Sequence, residues 1–200
     1  MSENILLDSL PETVMVDGKE FYIESDFRAG IIMEKILLSD MDDENKILDL
    51  VGVFFPDEQP EDLNKAVDAI LYMYRCGDNK PLKQKRKQKN GNVELKPKQI
   101  YSFEHDAPYI YGAFMSQYRI DLNEIKYLHW WKFQALFKSL NSDNKIVEIM
   151  GYRSADLSKI KNKAERDRIA RMKNLFALPQ NLTTEDKVAL AGAAFGGAFM

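Results

Sequence analysis

A chain of 200 residues, 45% hydrophobic and 11% aromatic, is long and apolar enough to bury a real core, which excludes an intrinsically disordered protein. The formal net charge of −3 is near neutral, but it is unevenly spread: residues 1–79 carry a net of −13, residues 80–98 +7 and residues 99–200 +3. The one cysteine, Cys76, excludes an internal disulfide and fits a reducing compartment. Met1 to Asn4 hold no basic segment, so no secretion signal is predicted. No apolar run approaches the roughly 20 residues that cross a bilayer. The expectation is a soluble, cytoplasmic protein without a membrane partner. The charge asymmetry either steers association between copies or with a partner, or merely solvates helix faces.

Val14 and Val16, then Asp17-Gly18, then Phe21 and Ile23 predict a hairpin within residues 12–24, because Asp-Gly tolerates positive φ at both turn centres. Ser25 is positioned to cap a helix from Asp26 to Leu38, and Asp42 one from Asp43 to Phe55. Pro60 opens the best-patterned helix, in which Leu63, Ala66, Val67, Ile70, Leu71 and Tyr74 share one face and Gly77 closes the end. Residues 78–98 are polar, basic and broken by Pro81, Gly91 and Pro97, which predicts a long mobile loop.

A helix is expected from Asp106 to Tyr118, with Pro108 in its first turn. Another is expected from Asn123 to Leu140. Its face of Ile125, Leu128, Phe133, Leu136 and Leu140 leaves Tyr127 and Trp131 pointing to the other side at 100° per residue. A short helix from Lys145 to Met150 and a charged one from Ala155 to Phe176 follow. The latter has a thin apolar stripe and looks peripheral. The tail at 180–200 is either a short helix or disordered. The fold class is mainly α: a multi-helix globular domain over residues 7–179 with a small N-terminal β-hairpin.

Chemistry is mostly excluded. Neither G-x-x-x-x-G-K-[ST] nor G-x-G-x-x-G occurs, so no nucleotide loop is predicted. The two histidines, His105 and His129, fall on different elements and form no metal-ligand spacing. His129 reads as a satisfied core or interface histidine. Cys76 sits at a helix C-terminus, where the dipole disfavours thiolate. The reading is a non-enzymatic protein with no cofactor and no metal. Nucleic-acid binding is the competitor. The run Lys83, Lys85, Arg86, Lys87 and Lys89 is dense enough to neutralise phosphates. The aromatics Tyr101 and Phe103 trail that run rather than interleave with it, and the acidic first half repels phosphate.

Four stretches carry a resemblance: Leu10–Arg28 (LPETVMVDGKEFYIESDFR), Ile70–Gly77 (ILYMYRCG), Tyr109–Leu122 (YIYGAFMSQYRIDL) and Leu128–Leu140 (LHWWKFQALFKSL). In order and spacing they resemble a family of proteins from tailed bacteriophages and prophages of Gram-positive bacteria. That family is known by a gene-product label and is taken to be a tail assembly chaperone. The similarity runs from about Leu7 to Pro179. It implies a protein of the host bacterial cytoplasm that keeps the helical tape-measure protein soluble until the tail tube forms. It also implies self-association and contact with the tail-tube protein. On that reading an amphipathic partner helix lies in a groove between helices. Tyr127 and Trp131 are the candidate anchors, and Trp130, Tyr118 and Phe114 its lining, with core packing as the competing role for each. Arg119, Asp121, Tyr152 and Arg153 are expected at helix junctions. The alternative is a phage protein that binds nucleic acid through residues 80–98.

Overall fold

The computed structural model describes residues 4–78 and 99–179. The tail at 180–200, and the basic loop apart from Asp78, lie outside the described residues. So do Lys83, Lys85, Arg86, Lys87 and Lys89.

Strands β1 (Thr13–Val16) and β2 (Lys19–Tyr22) form an antiparallel hairpin with Val14 opposite Phe21. Asp17 and Gly18 take φ of 51° and 77°, the positive values that the Asp-Gly turn was expected to supply. Two strands alone are marginal, so the hairpin leans on its neighbours. Val16, Phe21 and Ile23 are buried, Phe21 meets Phe55 edge-on, and Glu24 N–H donates to the Phe54 carbonyl.

Three helices of 12 residues each follow: α1 (Phe27–Leu38), α2 (Asp43–Phe54) and α3 (Leu63–Tyr74). The cap of α1 is Asp26 rather than Ser25, because the Asp26 carboxylate accepts from the N–H groups of both Arg28 and Leu128. Ser25 is buried and uses its carbonyl to accept from Trp130 N–H instead. Asp42 caps α2 as expected. Helix α3 starts at Leu63, not Pro60, because the Asp62 carboxylate takes the N–H groups of Asn64 and Lys65. Of its buried residues, Ala66 and Ile70 belong to the expected stripe, whereas Met73 lies outside it, and Leu63 of that stripe is exposed. Gly77 ends it at φ 78°, its N–H bonded to the Tyr72 carbonyl.

Helix α4 (Ala107–Tyr118) closes on Arg119, whose φ of 58° is left-handed. The next element departs from the sequence expectation. No helix runs from Asn123; α5 is Trp130–Lys138. Upstream, the Asp121 carboxylate accepts from the N–H groups of Asn123 and Glu124, and a short bridge joins Asp26 to His129. Side-chain bonds to backbone thus outcompete the helical ladder there. Helix α6 (Lys145–Ser154) is one turn longer than expected. The expected helix from Ala155 to Phe176 is broken into a 3-10 turn (Leu157–Lys159) and α7 (Lys163–Leu175). Asp156 captures Ser158, and Asn162 starts a new helix by accepting from Glu165 N–H.

The core is one cluster reaching from the hairpin to α6. Phe133 is its centre, stacked against Phe27 and Phe114 at 5.0 Å and against Trp130 at 5.6 Å. Arg153 on α6 forms a buried, two-pronged ion pair with Asp106, the residue preceding α4, at 2.5 and 2.9 Å. It also donates to the carbonyls of Ile100 and Phe176, so one guanidinium joins α4, α6, the end of α7 and the segment before α4. The expected junction role of Arg153 is met in this way.

Candidate protein-binding surface

The two tryptophans at the start of α5 both turn inward. Trp130 donates its indole N–H to the Tyr74 carbonyl at 2.8 Å and stacks on the Tyr74 ring. Trp131 donates to the Met73 carbonyl at 2.7 Å. These carbonyls belong to the last turn of α3, where the regular helical ladder ends, and the Met73 carbonyl accepts from Cys76 N–H at 3.2 Å as well. The tandem pair therefore caps α3 from the side. Two glycines make room: a Cβ on Gly30 would collide with the Trp130 ring, and one on Gly77 would lie 2.9 Å from the Trp131 ring.

This arrangement corrects the expected groove. Trp131 is only 4% exposed, Trp130 2% and Phe114 fully buried, so none stands out as an anchor or a groove wall. Tyr118 is half-buried and donates its hydroxyl to the Leu136 carbonyl. Opposite faces of one helix do not apply to Tyr127 and Trp131, because Tyr127 lies before α5 begins. Tyr127 alone of the five is substantially exposed, at 43%. Its hydroxyl lies 2.8 Å from Ser25 Oγ and 3.4 Å from a Glu12 carboxylate oxygen.

Glu12 lies between Pro11 and Thr13, two residues that line a cleft. A cleft of about 490 Å³ separates β1 from α3, bordered by Pro11, Thr13, Met15, Lys65, Ala69 and Tyr72. Among the described residues β1 pairs only with β2, and Met15 points out of the hairpin at 65% exposure. The floor is rigid, since Tyr72 packs edge-on against Trp131. An ion pair between Asp17 and Lys65 lies on its rim, and Glu12, between the lining residues Pro11 and Thr13, accepts from the Tyr127 hydroxyl. The cleft thus combines a flexible thioether, an aromatic and a mixed-charge rim, the make-up of a surface that accepts an apolar helix or strand. Sequence reasoning passed over Met15, although one signal was present: with Val14 and Val16 inward, strand alternation puts a large apolar Met15 outward.

Titratable groups offer little chemistry. Burial pushes the Cys76 thiol up, away from thiolate. Burial also raises the Glu34 carboxyl, which accepts from the Tyr74 and Tyr101 hydroxyls, and these join the segments on either side of residues 79–98. Burial lowers His129, whose Nδ1 accepts from Trp131 N–H, leaving Nε2 to donate to the Pro11 carbonyl. His129 is the N-cap of α5 and is buried, which agrees with its reading as a satisfied core histidine. Among the described residues no three metal-ligating side chains converge, and no helix is long and apolar enough to cross a membrane.

No curated protein and no solved structure matches the chain. One family does, across the hairpin, the core and all seven α-helices of the described residues. Residues 6–178 match the family described as Bacteriophage Gp15 protein, and the chain belongs to that phage family.

Proposed function

We propose that this protein is a tail assembly chaperone that holds an amphipathic helix of the tape-measure protein in the cleft between β1 and α3. The observation that carries the reading is the cleft itself, on a chain whose phage family spans nearly the whole fold. An extended helical partner needs shielding of its apolar stripe, and a helix-in-groove contact supplies it without catalysis. Met15 adapts its shape to differing side chains along such a partner. Tyr127 and Tyr22, exposed at 43% and 38%, extend the contact beyond the cleft.

The test is binding of labelled synthetic helices from the tape-measure protein, read by fluorescence anisotropy. Met15→Asp and Ala69→Arg place charge or bulk in the cleft. Each is expected to weaken binding about tenfold or more, a loss of roughly 1.4 kcal/mol, with unchanged circular dichroism. Wild-type affinity in both variants sinks the cleft as the site.

A further inference from the structure

Along an antiparallel ladder, hydrogen-bonded and non-bonded residue pairs alternate. Ile23 N–H donates to the Glu12 carbonyl, which makes Glu12 and Ile23 a bonded pair. Thr13 stands opposite Tyr22, Val14 opposite Phe21, Met15 opposite Glu20 and Val16 opposite Lys19, so the bonded set continues through Val14 and Val16. The backbone N–H and C=O groups of Thr13 and Met15 therefore point away from β2. Helix α3 packs beside β1, and both residues line the cleft between the two elements. No hydrogen bond to these four backbone groups occurs among the described residues. Two donors and two acceptors, about 7 Å apart along the strand, thus stand at the cleft.

An open strand edge is ordinarily blunted by lysine, proline, a bulge or a covering element. Strand β1 reads Thr-Val-Met-Val, which holds neither lysine nor proline, keeps a regular register and favours strand pairing. The opposite edge of the hairpin differs, for β2 carries the exposed Lys19 and Glu20. At the rim of the cleft Asp17 and Lys65 pair with each other, so the charge nearest the β1 edge is neutralised. Across the cleft, Ala69 offers a small apolar floor, and Tyr72 beside it is held edge-on by Trp131. An extended chain laid along β1 puts one set of alternate side chains over Ala69 and Tyr72 and the other beside the exposed Thr13 and Met15.

We infer that the open edge of β1 gives this chain a second binding activity: it takes an extended apolar segment of another polypeptide as a third strand of the hairpin. Main-chain bonds to Thr13 and Met15 supply affinity with little demand on sequence, and the floor at Ala69 selects small apolar side chains at alternate positions. An α-helix cannot use these groups, because its own N–H and C=O groups are bonded internally. The inference goes beyond the helix reading of the cleft and does not rest on it; the two occupants exclude one another.

The test follows backbone amide exchange by NMR in the full chain, without and with the synthetic peptide Lys-Val-Ala-Val-Ala-Val-Lys. In the free chain the amides of Thr13 and Met15 are expected to exchange fast, and those of Val14 and Val16, already bonded to β2, slowly. Saturating peptide is expected to slow Thr13 and Met15 by about tenfold or more and to leave Val14 and Val16 little changed. The same peptide methylated on its five central nitrogens keeps its side chains and loses its donors, and it is expected to bind at least about tenfold more weakly. Met15→Pro removes one outward N–H where an edge strand tolerates proline, and it is expected to weaken the parent peptide similarly while Val14 and Val16 stay protected. Unchanged exchange at Thr13 and Met15 overturns the inference, as does equal affinity of the methylated peptide. Amides already slow in the free chain also overturn it. They assign the edge to a second copy if the light-scattering mass is doubled, and to the chain's own tail if they show nuclear Overhauser contacts to residues 180–200. A tape-measure helix that binds the cleft leaves these two amides unchanged, so the failure of either reading is seen separately.

Discussion

Replacing Trp131 with Ala separates a structural indole from a binding one. The side chain is 4% exposed, its N–H bonds the Met73 carbonyl at 2.7 Å, and its ring packs edge-on against Tyr72 at 5.9 Å and His129 at 5.5 Å. Truncating a buried tryptophan costs about 3–5 kcal/mol through lost burial and the cavity left behind. In a chain of this length each kcal/mol lowers Tm by about 2–4 °C, so a fall of roughly 6–20 °C is expected. Trp131→Phe keeps ring bulk and removes the donor to a helix-end carbonyl, for about 1–3 kcal/mol. Tyr127→Ala, at a half-exposed site, is expected to cost less than about 1 kcal/mol. Urea and thermal unfolding followed by circular dichroism measure all three, and a constant m-value shows that stability alone has changed. A Trp131→Ala protein within about 1 kcal/mol of wild type would refute the inward placement of this indole and revive it as a surface anchor.

Gly30→Ala is expected to lose about 1–3 kcal/mol despite the higher helix propensity of alanine, since the new Cβ runs into the Trp130 ring; unfolding in urea checks this. Asp106→Leu strands the buried Arg153 guanidinium and is expected to cost about 3–5 kcal/mol, whereas Asp106→Leu/Arg153→Met recovers much of the loss. A double-mutant cycle on the same unfolding data measures that coupling. Because burial lowers the His129 value from the ordinary 6.5, the folded chain takes up the proton less readily than the unfolded one. Its stabilising contribution is whole above 6.5 and fades as pH falls below that value, when a proton on Nδ1 faces the Trp131 N–H. Stability measured from about pH 7 to pH 5 should therefore decline, and His129→Asn, which keeps an N-cap acceptor, should flatten that decline.

What the sequence made legible follows from how local each signal is. The hairpin needs only Asp17-Gly18 and alternating apolar residues, and it formed as read. Helix α3 advertises itself through a stripe of apolar residues and a terminal glycine, because both features act within the element. The start of α5 was hidden for a different reason. Residues 123–129 keep a helical apolar spacing, but Asp121 captures two local N–H groups and Asp26, about a hundred residues away, takes the N–H of Leu128. No periodicity reports that long-range bond. The error carried over to Trp131, whose outward direction rested on a helix continuous with Tyr127. The break before α7 came from Asp156 and Asn162, two residues that compete for backbone N–H groups and that a count of apolar positions ignores. Met15 and the cleft beside it arise from the hairpin meeting α3, a juxtaposition that only the fold supplies.

The central claim is that this chain holds the tape-measure protein in solution. Co-expression with the tape-measure protein encoded in the same phage genome, followed by affinity capture and light-scattering mass, tests it most directly. The account predicts a soluble complex with several copies of this chain on each tape-measure chain, lost when Met15→Asp and Ala69→Arg are combined. A tape-measure protein that stays insoluble while this chain remains alone in solution would contradict it.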